Sequence, residues 1–156
     1  MTRFALKVKQ PTTRYVPRVV KHEQSLQLQV CRYLDLKWPN ILYRSDFASG
    51  LHLTPYQAKL HKQMQSSRAF PDMQILKPSR GYAGLFIELK PEGTRVYTKK
   101  GTLSADPHIQ EQAMMLQHLN GLGYFARFGI GYDSCIRLIE WYLNPDYRAS
   151  ENTELF

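Results

Sequence analysis

Pro71-Asp72-Met73-Gln74-Ile75-Leu76, followed by Leu85-Phe86-Ile87-Glu88-Leu89-Lys90, decides how this 156-residue chain folds. Each stretch carries a short apolar run of strand length: Met73, Ile75 and Leu76 in the first, Leu85, Phe86 and Ile87 in the second. Between them, Pro78-Ser79-Arg80-Gly81-Tyr82-Ala83-Gly84 is dense in turn formers and reads as a hairpin connection. Side chains alternate faces along a strand, so Glu88 and Lys90 project together while Leu89 points the other way. The hairpin brings Asp72 beside Glu88. Two carboxylates and an ammonium then meet at the edge of an apolar sheet, an arrangement that is unfavourable without a counter-ion. A divalent cation supplies one.

On the N-terminal side of this pair, residues 22 to about 37 repeat apolar side chains at helical spacing: Leu26, Val30, Tyr33 and Leu34. Glu23 and Gln27 fall on the same stripe, and an acid there is the unusual member. Trp38-Pro39-Asn40 ends the helix. Residues 41–47 read as a strand. Thr54-Pro55 starts a second helix to about residue 65, with Thr as N-cap and Pro in the first turn; this segment is polar and basic through Lys59, His61 and Lys62.

On the C-terminal side, Pro91 stops the Glu88-Lys90 strand because it has no ladder donor. Residues 92–101 hold Arg95, Lys99 and Lys100 beside Tyr97 and read as a basic hairpin or loop. Asp106-Pro107 begins a helix to about residue 120, with Ile109, Ala113, Leu116 and Leu119 inward; Gly121 and Gly123 end it. Residues 124–128 form a strand. Asp133 caps a last helix carrying Ile136, Leu138, Ile139 and Tyr142, stopped at Asn144-Pro145. The order helix, strand, helix, strand, strand, helix, strand, helix predicts one α/β sandwich with a central mixed sheet over residues 22–144. A basic N-terminal arm precedes it at 1–21 (Arg3, Lys7, Lys9, Arg14, Arg18, Lys21), either solvated or touching DNA. A polar tail follows at 145–156.

Composition narrows the function. Hydrophobic residues at 43% and aromatics at 12% provide for a packed core and exclude a disordered chain. A formal net charge of +8 favours polyanionic partners, nucleic acid before anionic membrane. No apolar run approaches the ~20 residues that span a bilayer, and residues 1–21 carry no signal-like apolar core, so the expected location is cytoplasmic, without a membrane partner. Cys31 and Cys135 read as free buried thiols, and no His/Cys spacing suggests zinc.

Pro-Asp, a variable spacer and Glu-x-Lys resembles the signature of the PD-(D/E)XK nucleases, and the wider order of motifs resembles their VRR-NUC branch. Glu23 stands where that branch has an acid early in its first helix. Gln112 stands seven residues before Leu119, ahead of Gly123-Tyr124. The likeness runs over residues 23–143. It implies a restriction-endonuclease-like α-β-α sandwich in which Asp72 and Glu88 are Mg²⁺ or Mn²⁺ ligands, joined by the carbonyl of Leu89. Glu23 assists the metal, Lys90 is the catalytic lysine, and Gln112 orients Lys90 or the attacking water. Gln110 competes for that last role but fits the spacing less well. Where the family has a glycine-containing turn before Pro-Asp, this chain has Arg68-Ala69-Phe70.

The resemblance further implies a structure-specific DNA endonuclease of phage or bacterial type, cutting branched or four-way DNA, often as a homodimer. Arg95, Tyr97, Lys99 and Lys100, with Lys59 and Lys62, are the expected DNA contacts. Two alternatives keep the charge and change the chemistry: a non-catalytic nucleic-acid-binding module, and a restriction-type duplex nuclease. Asp46 ends a strand and is read as a turn residue rather than a further ligand. Met114-Met115 is read as core. His118-Leu119-Asn120 lacks the second histidine that a His/Asn nuclease needs.

Overall fold

The computed structural model describes residues 22–46 and 52–147, with side chains from Ser25 onward. The basic arm expected at 1–21 lies outside the described residues, as do Phe47 and most of the expected tail. Along the chain run α1 (His22–Lys37), β1 (Tyr43–Ser45), α2 (Pro55–Gln63), β2 (Met73–Ile75), β3 (Leu85–Lys90), α3 (Pro107–Gly121), β4 (Phe125–Ile130) and α4 (Gly131–Leu143). The sheet order is β1-β2-β3-β4. β1 and β2 are antiparallel, as are β2 and β3, whereas β3 and β4 are parallel. A parallel pair needs a crossover, and α3 provides it.

Both faces of this mixed sheet are covered. Leu85, Ile87 and Leu89 of β3 join Met73 and Ile75 of β2 under α1 and α4, where Leu26, Val30, Leu34, Leu138, Ile139 and Tyr142 complete the larger core. The alternate residue Phe86 faces the other way and packs with Ala126, Leu116 and Leu119 beneath α3. Thus the three-layer sandwich expected from element order is the one observed, and β3 is an interior strand. Burying an aliphatic side chain stabilises by about 1.5–3 kcal/mol, so the spacing of Leu26, Val30 and Leu34 suffices to dock α1.

The local devices are partly as the sequence predicts. Thr54 caps α2 through a capping box with Gln57, and Asp106 caps α3 by accepting from the His108 and Ile109 N–H groups. Asp133 does not cap α4. That helix starts two residues earlier at Gly131, whose φ of +73° turns β4 directly into a helix, leaving Asp133 in the first turn. Arg80 and Gly81 both have positive φ, 52° and 84°, and close a two-residue turn between Ser79 and Tyr82. An arginine there is unusual. Its guanidinium donates to the Trp141 and Asn144 carbonyls at the end of α4 and stacks over Trp141, which offsets the backbone strain.

β1 and β2 are each three residues, shorter than their apolar patterns suggest. Met114 is exposed rather than core, and Cys31 is only half-buried while Cys135 is buried. Among the described residues no helix is long and apolar enough to cross a membrane.

Candidate active site

The pairing of β2 with β3 builds the site. Met73 lies opposite Ile87, so continuing the antiparallel register by one residue sets Asp72 opposite Glu88. Opposed residues share a face, here the α3 face, with Cβ atoms about 5 Å apart. β2 ends at this point, and the Asp72 side chain takes over the ladder: its Oδ2 accepts from the Leu89 N–H at 3.0 Å. A strand residue's N–H and C=O project toward the same neighbour, so the Leu89 carbonyl also faces the Asp72 side. β1 supports the junction, since the Asp46 N–H donates to the Asp72 carbonyl at 2.8 Å. Asp46 thus serves the backbone next to Asp72, in keeping with a turn role.

Glu88 is the centre of the polar cluster. Lys90 Nζ donates to its Oε1 at 3.1 Å, and Gln112 Nε2 on α3 donates to the same oxygen in a short hydrogen bond. Asp72, Glu88, Lys90 and Gln112 are all buried, at 8%, 2%, 7% and 6% exposure. Gln112 rather than Gln110 reaches the cluster; Gln110 is exposed and bonds the Ser104 carbonyl. The other amide atom, Gln112 Oε1, is buried without a hydrogen-bond donor among the described residues. Leaving such an acceptor unsatisfied is costly, so the position suits a hydrogen bond donated by water or substrate.

The loop before Asp72 needs no glycine. Ala69 is buried, Phe70 packs edge-on against Phe86 at 5.8 Å, and Arg68 forms a bidentate pair with Glu111, the neighbour of Gln112. The Arg68 hydrogen bonds hold the Glu111 carboxyl below the usual range. Glu23 lies in the first turn of α1, one turn before Gln27, and its side chain is outside the described atoms. Gln27 itself is half-buried and ties α1 to the end of β1, donating to Ser45 Oγ and the Asp46 carbonyl.

Among the described residues no three His, Cys, Asp or Glu side chains converge as a metal cage. Mg²⁺ seldom uses such a cage; one or two carboxylates with water and substrate oxygens are its usual shell. Asp72 and Glu88, all-oxygen donors on one face, fit that demand, and an orphaned acceptor beside them fits an ordered water.

No family model matches the sequence, and no curated protein matches it. A solved structure described as a "VRR_NUC domain protein" does match, at 25% identity and a TM-score of 0.52, covering 81% of this chain and 91% of that one. The chain is similar to a VRR-NUC domain protein. The likeness covers most of the chain and supports the VRR-NUC family, a nuclease domain family.

Two elements flank the polar cluster. Of the basic hairpin or loop expected over 92–101, the part from Val96 onward forms a hairpin that closes at Leu103 and Ser104, with Arg95 just before it; it is rooted by buried Val96 and by Tyr97, which packs edge-on against Phe128 of β4. Phe128 is the register partner of Glu88, so the base of the hairpin lies on the cluster's side of the sheet, and its turn carries exposed Lys99 and Lys100. α2 flanks the opposite side, at the β1–β2 edge: its His61 lies 3.9 Å from Asp46, and the loop after it carries Arg68 and Phe70. Lys59 and Lys62 are exposed on α2. Three features escaped the sequence reading. One is an apolar stripe running along α2 to its C-cap (Tyr56, Leu60, Met64), visible in its i, i+4 spacing. Another is Glu92, seated against Gly131. The third is a cleft of about 680 Å³ between α1, Pro91-Glu92 and the start of α4. This cleft opens one residue beyond Lys90 but on the α1–α4 side, and neither Asp72 nor Glu88 lines it.

Proposed function

We propose that this protein is a Mg²⁺- or Mn²⁺-dependent DNA endonuclease of the PD-(D/E)XK type that recognises branched DNA, four-way junctions included, and acts as a homodimer. The observation that carries the reading is the convergence of Asp72, Glu88, Lys90 and Gln112, buried together at the end of the β2–β3 ladder in a chain of net charge +8. Binding a polyanion needs no buried carboxylates, which repel phosphate; hydrolysing it with a cation does. Asp72, Glu88 and the Leu89 carbonyl would hold the cation, with Glu23 assisting from α1. The cation would neutralise the scissile phosphate and favour ionisation of water.

The protein's own groups then have separable tasks. Glu88 Oε1 fixes the Lys90 ammonium, which offsets charge gathering on the phosphate oxygens. Gln112 Oε1 accepts a hydrogen bond from the attacking water and so orients it. The hairpin lysines and those of α2 neutralise flanking phosphates and set the register of the strand without reading sequence. A four-way junction is symmetric and needs two cuts, which a two-fold dimer supplies.

The test is cleavage of a panel of four-way, forked, nicked and linear DNA with and without Mg²⁺ or Mn²⁺. Asp72→Ala and Glu88→Ala should each abolish metal-dependent cutting and leave DNA binding largely intact. Wild-type cutting by either variant removes the site assignment, and uniform cutting of all substrates removes the branch preference.

A further inference from the structure

α2 is anomalous as a structural element. It has no buried residue, and its nine residues are too few to hold helical structure by propensity alone. Tyr56, Leu60 and Met64 recur at four-residue spacing and so form one continuous stripe, exposed by 75%, 43% and 78%. An apolar ridge of this kind on a basic protein calls for a partner. His61, the half-buried residue of the helix, faces the body through Asp46 and Gln65, so the ridge faces outward.

Charge selects the occupant. Helix α2 contains no acid and presents Lys59 and Lys62 alongside the ridge. In a two-fold contact of α2 with its copy, the lysines of each helix would meet a helix that has no acid to pair them. A nucleic acid meets both requirements at once: phosphates for the lysines and base faces for the apolar side chains. Position selects the part of the nucleic acid. Helix α2 is joined to the cluster through Asp46, whose N–H bonds the Asp72 carbonyl, and through the loop that follows it, where Arg68 pairs with Glu111, the neighbour of Gln112, and Phe70 packs on Phe86. A duplex passing the cluster offers only phosphates and groove edges, whereas a branch offers unstacked bases.

We infer that the Tyr56–Leu60–Met64 ridge is a stacking wedge that receives the exposed bases at a single-strand/double-strand branch next to the candidate active site. The inference rests on the nuclease reading for its choice of DNA, and it assigns branch selection to a surface separate from the carboxylates.

The experiment uses the full chain and labelled DNA: a forked duplex and a blunt duplex of equal length, with affinity read by fluorescence anisotropy without divalent metal. Stacking of a base on an aromatic side chain changes affinity by about 5- to 150-fold on alanine substitution. The wild type should prefer the fork by about tenfold or more. The triple variant Tyr56→Ala/Leu60→Ala/Met64→Ala should lose that preference while its duplex affinity stays unchanged, and Tyr56→Trp should keep it. All three positions are exposed, and circular dichroism checks that the fold persists. Equal affinity of the wild type for fork and duplex overturns the inference, as does a preference retained by the triple variant. A change confined to the sedimentation coefficient also overturns it and makes the ridge a contact between copies. Fork-selective binding by a protein that never cuts leaves the wedge standing and removes the nuclease reading instead.

Discussion

Substituting Lys90 with Met separates what the Glu88–Lys90 pair does for stability from what it does for chemistry. The ammonium lies 3.1 Å from Glu88 Oε1, and the two side chains are 8% and 3% exposed. At an effective dielectric of about 20 the attraction at that distance is about 5 kcal/mol, and solvent screening is weak at such burial. Much of it offsets the cost of removing both ions from water. Lys90→Met keeps the aliphatic stem and removes only the positive end, so the desolvation cost of Glu88 persists without its offset. Breaking a buried pair in this way costs about 3–5 kcal/mol. For a domain of this size that lowers Tm by roughly 6–20 °C. The double variant Glu88→Gln/Lys90→Met leaves no buried charge of the pair and should recover most of the loss. Neither variant should cleave DNA. Urea denaturation without divalent ions measures the cycle. Adding Mg²⁺ to Lys90→Met should restore part of the loss, because a cation at a hundred times its Kd contributes about 2.7 kcal/mol. The reasoning is refuted if Lys90→Met lies within about 0.5 kcal/mol of wild type, or if the double variant loses the sum of the two single losses.

Replacing Arg95, Lys99 and Lys100 together with Ala should weaken DNA binding and lower the slope of log affinity against log salt by about 2–3; a salt titration reads it, and an unchanged slope removes the hairpin from the interface. Glu140 is buried, which alone would raise its pKa, but hydrogen bonds from Tyr33, Lys37 and Trp38 outweigh burial and hold it below 4.5. Its contribution is therefore fully present above that value and lost as pH falls through the folded pKa. Denaturation midpoints between about pH 3 and pH 6 should drop for wild type, while Glu140→Gln should start about 2 kcal/mol lower at neutral pH and fall less. Gly131→Ala should cost about 1–2 kcal/mol from its left-handed backbone, with little added by the new Cβ, because what it meets is the movable carboxylate end of the exposed Glu92 side chain. Adding Glu92→Ala should therefore return almost none of the loss, as read by urea denaturation.

Element order and layer architecture were legible because they rest on apolar periodicity, which is local. Leu26, Val30 and Leu34 announce a docked helix, and Leu85, Ile87 and Leu89 announce a strand buried on that face, with Glu88 and Lys90 on the other. The pairing of Asp72 with Glu88 was legible for the same reason. The start of α4 was not, because Asp133 is a good cap by composition, while the actual start depends on Gly131 taking a positive φ at the end of β4. Met114 was misplaced because α3 buries only one narrow stripe, on which Gln112 replaces the expected apolar residue. The α2 ridge escaped notice because its three apolar residues sit among Lys59, His61 and Lys62, and exposure is decided by tertiary packing that helix spacing cannot supply. The contact of Gln112 with Glu88 was anticipated only through resemblance. Nothing local to either residue brings together positions 24 apart in sequence.

The same magnitudes explain how two carboxylates come to stand together at all. Two unit charges about 5 Å apart at an effective dielectric of 20 repel by about 3 kcal/mol. Slipping β2 by one residue against β3 would part them, but it would also turn Met73 and Ile75 out of the core, away from Leu85 and Ile87. All four are fully buried. At about 2 kcal/mol each, their packing outweighs the repulsion even when only the two displaced residues are counted. The register is thus imposed by apolar side chains on the α1–α4 face, and the acids on the α3 face are carried along with it. Lys90 and Gln112 reduce the remaining cost at Glu88, and the Leu89 N–H does so at Asp72. The cluster's hydrogen bonds are thus in place without any ligand, which is the preorganisation that electrostatic stabilisation of a charged group requires.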